Sequence, residues 1–500
     1  MHIAAAKHRL WIDTSLECIR RDHTTGPGDQ KGPFLSARAL GVALAAPNAV
    51  YAMATRRPLL LPLTPVPSLA HLSATQLEVA ACAACSEVLK LRFPHQVPLL
   101  DPAWLYWLQL DVDRQPNSSA EAMGRAVGAA IHQLGATDAK YAMGDMYSPS
   151  GLPYTHEAPP TQPRQPFAGG DWGFADRLLT THVDDFPPPP GRASATDFKQ
   201  MLHYKDDFDR VKAKGGINMG TGLHARSLHE EEVGIFWGYD GPRKLGTPPR
   251  LYMQAVLSVL DALPTSLPAS PLASLSATDE LEIIAGAALA MAEAGIDAWF
   301  YKYAPSHMMW RPAVGIRKEE LPTRADPKFL PLGRPDTNGR GLGQTPDFPA
   351  YPSGHATFGA AAFQLLRLYL GQKDSNIFLP NGDDTIQLSF LSDEYDGVNT
   401  DPRTQKPRKL CMGSTVTPVS LWRAIIDNSI SRVYLGVHWQ FDGLTERDAM
   451  GEDSFAKTPT GLKPGQLGRT GGVWLGGQIA KQVASKLGVT NATITASQFP

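Results

Sequence analysis

Apolar residues recur at helical spacing in eight stretches of the chain, whereas strand-like alternation is rare and short. In the first third the predicted helices cover 35–55, 73–92 and 120–135, all rich in Ala, Leu, Met and Gln, which favour helix. In the second half they cover 249–263, 277–298, 354–371, 417–433 and 472–487. The stretch at 277 has Ser276 and Thr278 ahead of Asp279 and Glu280, a composition that suits a helix start. The pattern predicts a mainly α fold, with two four-helix-bundle-like halves and long Pro/Gly-rich loops.

Two segments break the helical pattern. Residues 144–200 are rich in proline and include the run Pro187 to Pro190, which reads as a surface strap. They suggest a division into an N-terminal helical region (1–190) ending in this strap and a C-terminal helical region (191–500); an excursion within one continuous domain fits equally. Residues 312–350 are dense in Pro and Gly, and an irregular segment of that length is usually functional or disordered. No fixed-period repeat is evident.

Composition narrows the function classes. The chain has 500 residues, 43% of them apolar and 19% charged, enough for a large core. A net charge of -2 argues against nucleic-acid binding, so any cationic site is local. No stretch of about 18 uncharged apolar residues is present, so no membrane span is expected. The N-terminus shows no signal-peptide pattern, which suggests a cytoplasmic chain or export by a leaderless route. Acceptor patterns for glycosylation at Asn117 and Asn491 carry little weight without a secretory signal. The four cysteines, Cys18, Cys82, Cys85 and Cys411, are too few for a disulfide framework. Cys82 and Cys85 form a C-x-x-C without a second pair or a thioredoxin-like setting, and read as small buried residues of a helix.

Chemistry concentrates in three segments of the second half. The first holds Trp299, Lys302 and Arg311-Pro312; the second is Pro352-Ser353-Gly354-His355; the third runs from Ser431-Arg432 to His438 and Asp442. Two arginines and a lysine supply fixed positive charge, and the guanidinium fork suits a tetrahedral oxyanion. Ser353 and Gly354 lead directly into a helix, whose N-terminal end favours an anion. Two histidines add a ligand or nucleophile and an acid–base group. This is the inventory for holding phosphate or an anion shaped like it. Taken singly, each residue has an ordinary reading as a surface charge, a helix cap or a core histidine. Arg432 and His438 lie six positions apart, so on one straight helix they would point in different directions. Gly436 is expected to end or bend that helix so that both converge.

The order and spacing of these segments resemble the superfamily of vanadium haloperoxidases and type-2 phosphatidic acid phosphatases. Pro352-Ser353-Gly354-His355 and the Ser431-Arg432…His438…Asp442 segment match its signature fully. Between Lys302 and Arg311 eight residues intervene, more than in the signature, which leaves Lys318 as an alternative lysine. The surrounding text is similar to the haloperoxidase branch, in its chloroperoxidase type. That resemblance implies vanadate as cofactor and no haem. It implies His438 as the vanadium ligand, and Lys302, Arg311, Ser353, Gly354 and Arg432 around the vanadate oxygens. His355 would be the acid–base partner, Asp240 would pair with Arg432, and Asp442 would orient His438. Asp240 also reads as a turn residue and Asp442 as an exposed helix charge. Trp299 and Phe348 would line the halide pocket, where a phenylalanine at 348 favours chloride oxidation; both also read as core aromatics.

The activity implied is oxidation of a halide (bromide, and also chloride) by hydrogen peroxide to hypohalous acid, which halogenates an organic acceptor. The partners implied are therefore hydrogen peroxide, halide ion and the acceptor, with no nucleic acid and no membrane; a homo-oligomer is compatible with the resemblance. The same donor set serves a soluble acid phosphatase with His438 as nucleophile, and a non-catalytic oxyanion carrier would also use it.

Overall fold

The structure is a computed structural model that describes residues 6–63, 69–142, 147–191, 198–218, 225–319, 324–339, 341–409 and 419–500. It is mainly helical, and its described strands form only three short antiparallel pairs, Gln387–Leu388 with Val419–Ser420, Asp396–Thr400 with Pro407–Lys409, and Glu446–Arg447 with Asp453–Ser454. One hydrophobic cluster runs from Trp11 to Phe499.

The helix Ala277–Tyr303 is the axis of the protein. Ser276 caps it: its hydroxyl accepts from the Asp279 N–H at 3.1 Å, and the Asp279 carboxylate accepts from the Ser276 N–H at 3.1 Å. The helix is long and apolar enough to cross a bilayer by length and composition, and 94% of its most apolar window is buried inside the protein. Pro33–Thr55 packs along one side of it, Ala74–Arg92 packs on Pro33–Thr55, and Ser119–Gln133 packs on Ala74–Arg92. On another side lies Gly354–Lys373, itself surrounded by Pro248–Ser266, Leu421–Tyr434 and Gly472–Lys486.

Small residues let these helices approach closely. A Cβ on Gly124 would lie 2.1 Å from the Ala80 carbonyl oxygen, and one on Gly476 would lie 2.1 Å from that of Thr357. The C-x-x-C belongs to the same packing. Cys82 and Cys85 are buried on Ala74–Arg92, and burial raises both thiols, Cys85 to about 12, so neither forms a reactive thiolate. Cys411 lies outside the described residues.

Each helix predicted from the pattern is present with ends shifted by a few residues; the first positions of the stretch at 417 lie outside the described residues, and the helix begins at Leu421. The largest difference is at Ala277–Tyr303, which continues past 298 and so carries Trp299 and Lys302 on its last turn. Arg9–Asp22, Val97–Gln109, Phe198–Lys214 and Leu228–Phe236 are additional helices. Two of them carry many charges or prolines, which dilute the apolar period.

The Pro-rich strap is irregular over 147–191 apart from the turn Trp172–Phe174. It is nevertheless anchored by charged side chains of the axial helix. The fully buried Glu293 accepts from the N–H groups of Leu178, Leu179 and Thr180 at 3.0, 3.2 and 3.0 Å, and from the Thr180 hydroxyl at 2.9 Å. Asp297 takes both arms of the Arg177 guanidinium at 2.9 Å each. Replacing Glu293 with Ala leaves four donors without an acceptor and removes one of the two carboxylates beside Arg38, 3.7 Å away, which keeps Asp138 at 3.1 Å. Glu293→Ala is expected to cost about 3 kcal/mol or more in denaturant unfolding. It should also open 147–191 to limited proteolysis, whereas an unchanged cleavage pattern would mean the strap is held by other contacts.

Candidate functional site

The three chemical segments converge at the N-terminal end of Gly354–Lys373. Ser353 caps this helix, with its hydroxyl accepting from the Ala356 N–H at 3.4 Å, and its own N–H donates to the Asp442 carbonyl at 2.7 Å. Gly354 is the first helical residue, so its N–H has no intrahelical acceptor. Trp299 stacks close beneath, 3.6 Å from where a Gly354 Cβ would sit, and its ring centroid is 4.8 Å from that of Phe348.

Arg432 and His438 are brought together by the reversal expected at Gly436. Leu421–Tyr434 ends in a Schellman motif: the Gly436 N–H donates to Val433 at 2.9 Å and the Val437 N–H to Arg432 at 3.1 Å. Gly436 has φ +68°, and a Cβ there would lie 2.3 Å from the Gly215 carbonyl oxygen. Only glycine fits on both counts.

The tautomer of His438 follows from its partners. Arg311 Nη1, which can only donate, lies 2.9 Å from Nε2, so Nε2 carries the lone pair. The proton is then on Nδ1, which donates to Asp442 Oδ2 at 2.9 Å. Asp442 Oδ2 also accepts from the Trp439 N–H at 2.8 Å. Burial pushes the Asp442 carboxyl up to about 8, against the opposing pull of Arg311. Its Oδ1 has no partner and is where a proton would sit.

Positive charge is in surplus here. Lys302, Arg311 and Arg432 are fully buried; the carboxyl groups that act on Arg311 are Asp442, Asp240 and Asp347, and burial raises Asp442 and Asp347 and so disfavours their charge. Arg432 is paired with Asp240 through Nη2. Burial opposes ionisation of Asp240, yet Arg432, His355 and Arg334 together outweigh it and hold the carboxyl below its usual range. His355 presents Nδ1 to Asp240 at 3.7 Å; burial, and then Arg432, push its imidazole down to about 3. Burial, and then Arg311, push the Lys302 amine well below its usual range.

Buried donors without partners mark where an anion fits. Arg311 Nη2 and Arg432 Nε and Nη1 have none in the protein, and beside them His355 Nε2 is also without a partner, free to take up a proton. A tetrahedral oxyanion beside His438 would satisfy them and offset the surplus charge, so the donor set fits vanadate, and fits phosphate equally. Lys302 is placed differently. Its ammonium donates to the carbonyls of Pro349 and Ala350 at 2.8 and 3.3 Å, and to that of Pro352. It thus secures the loop that presents Ser353. Lys318 is half-exposed and paired with Glu157 rather than buried with Lys302, Arg311 and Arg432.

A family model described as the VCPO second helical-bundle domain matches residues 282–453, which include Lys302, Arg311, Phe348, Ser353, Gly354, His355, Arg432, His438 and Asp442. The vanadium chloroperoxidase of Curvularia inaequalis is 33% identical over 306 residues, 58% of this chain and 49% of that protein. Residues 282–453 thus form a domain of the VCPO second helical-bundle kind. The chain spans about half the length of this curated relative. The fold is shared more widely. The crystal structure of the first bacterial vanadium-dependent iodoperoxidase superposes with a TM-score of 0.62 at 18% identity, covering 95% of this chain and 96% of that one. That of the holo-type bacterial vanadium-dependent chloroperoxidase superposes with a TM-score of 0.58 at 15% identity, covering 96% of each chain.

Some residues that shape the haloperoxidase-like site carried no motif. Tyr252 Oη and Asn428 Nδ2 both donate to the His355 carbonyl, at 3.1 and 2.8 Å, and fix the start of its helix. Asn428 is one helical turn before Arg432, and a buried polar residue on the same face was a readable signal. Tyr252 had none. His156, on the strap, is buried with both ring nitrogens lacking partners.

Gly436→Ala is expected to cost about 1–3 kcal/mol, from the positive φ and the clash with Gly215. It should also weaken oxyanion binding, measured by calorimetry with vanadate; unaltered affinity would mean the reversal does not set the site. A second expectation concerns pH. The folded state holds His355 at about 3 against an ordinary 6.5, so the unfolded chain takes up the proton first. Anion-free protein should therefore lose stability as pH falls from 6.5 towards 3. His355→Gln should flatten that dependence in chemical denaturation; an unchanged slope would count against a neutral buried His355.

Proposed function

We propose that the chain is a vanadate-dependent haloperoxidase, which oxidises bromide, and through Phe348 also chloride, with hydrogen peroxide to hypohalous acid that halogenates an organic acceptor. The observation that carries this reading is the group of partnerless buried donors on Arg311 and Arg432, with the partnerless His355 Nε2, around the Nε2 lone pair of His438, which Arg311 Nη1 meets at 2.9 Å. What favours vanadate over phosphate is that these residues lie in the stretch matched by the VCPO domain.

His438 Nε2 would bind the vanadium, with Asp442 keeping the proton on Nδ1 and so keeping the lone pair available. Arg311 Nη1 would have to give up that lone pair when the site fills, and with Nη2 would donate to the oxygens. Arg432, the Ser353 hydroxyl and the Gly354 N–H would hold the remaining oxygens, and Lys302 would fix the loop while adding charge. Bound vanadate supplies a Lewis-acid centre that activates hydrogen peroxide towards attack by halide. His355 takes and returns protons at Nε2: the negative charge of a bound oxyanion raises its proton affinity, and Asp240 at Nδ1 supports the imidazolium. Trp299 and Phe348 keep water from the halide side.

Vanadate-loaded protein with peroxide and bromide is expected to brominate monochlorodimedone, and His438→Ala to fall to background. Asp442→Ala should bind vanadate about 10- to 100-fold more weakly. Hydrolysis of p-nitrophenyl phosphate without bromination would replace this reading with the phosphatase, in which the same lone pair attacks phosphorus. Vanadate binding with neither activity would leave an oxyanion carrier.

A further inference from the structure

The strap brings to the site a histidine with no hydrogen-bond partner of its own. His156 is fully buried, and neither Nδ1 nor Nε2 meets a protein donor or acceptor. Its place is fixed nonetheless. The Tyr147 hydroxyl donates to its carbonyl, and the ring lies against Phe167 and Tyr147 at centroid distances of 5.4 and 6.1 Å. The loop carrying it is stapled on both sides to the candidate site. Two residues earlier, the Tyr154 carbonyl accepts from the N–H of Trp310, the neighbour of Arg311, at 3.0 Å. Twelve residues later, the Ala168 N–H donates to the carbonyl of Asp347, the neighbour of Phe348, at 2.8 Å, and the Ala168 carbonyl accepts from Trp299 Nε1 at 3.1 Å.

The surroundings select the kind of partner. Arg311 and Lys302 are the charges that act on His156, and with burial they keep its ring neutral. A neutral imidazole still offers one N–H donor, and buried donors are normally satisfied. Lys302 Nζ lies 5.0 Å and the Arg311 guanidinium carbon 5.1 Å from the Phe348 ring centroid, so cations and aromatic faces share this side of the site. A single-atom anion suits such a mixed setting, because it accepts N–H groups from any direction and tolerates apolar walls.

Resting on the haloperoxidase reading, we propose that His156 is a halide-binding residue, whose ring N–H holds the bromide or chloride ion on the Arg311–Lys302 side of the site and so sets halide affinity. His156→Phe keeps the ring's shape among Tyr147 and Phe167 and removes both nitrogens. His156→Gln keeps an N–H donor.

The test uses the full-length, vanadate-loaded protein with 13C-labelled histidine rings. The His156 resonance is assigned by its absence in the Phe variant, and both variants are first checked by thermal melting. Bromide titration is expected to shift the His156 resonance saturably. His156→Phe should raise the KM for bromide about 10-fold or more, with kcat and the KM for peroxide little changed, and His156→Gln should recover part of the loss. A His156 resonance that bromide does not move overturns the proposal, whether or not the protein halogenates. So does an unchanged KM for bromide in His156→Phe, or a rise confined to the KM for peroxide. A saturable shift in a protein that oxidises no halide would keep the halide site and remove the haloperoxidase reading.

Discussion

Positive charge taken out of water without an equal negative charge is the constraint on which this structure turns. Lys302, Arg311 and Arg432 are all buried, and of the carboxyl groups that act on Arg311 burial pushes Asp442 up to about 8 and raises Asp347 as well. Desolvated charge of one sign is costly unless something compensates it. The fold compensates in part: loop carbonyls surround the Lys302 ammonium and Asp240 takes one arm of Arg432, while the helix N-terminus facing the same point adds partial positive charge. The rest is left to an anion. Affinity and pre-organisation therefore have one origin, because the donors are already fixed before the ligand arrives.

Much of this was legible because it is local. The order Pro352-Ser353-Gly354-His355 implies a capped helix start, and a glycine two positions before His438 implies a chain reversal; both rest on short-range backbone geometry. The identity of the axial lysine was less legible, since it depended on whether the helix at 277 stopped at 298 or ran on to Tyr303. Three more helical residues past Trp299 put Lys302 inside, while Lys318 pairs with Glu157 at the surface.

What could not be read is long-range. Nothing in the proline-rich strap signals that Glu293 and Asp297, on a helix more than a hundred residues away, would hold it down. Proline-rich sequence predicts the absence of regular structure, not the absence of order, and buried carboxylates on an apolar helix look like blemishes in its pattern until their partners are known. Asn428 and Tyr252 converge on one carbonyl oxygen from two helices, a contact that no single periodicity contains.

The contact between Gly215 and Gly436 is backbone against backbone, with no side chain in between. Side-chain packing is compliant, since rotamers can shift to absorb a small displacement, whereas two peptide backbones in van der Waals contact behave as a hard stop. The direction in which His438 leaves the chain is therefore referenced to a rigid datum rather than to an average over mobile groups. Warming or mild denaturant, which first loosen loops and side chains, would leave the ligand's aim unchanged until the helices themselves part, so the site should fail abruptly with the fold rather than drift out of tune.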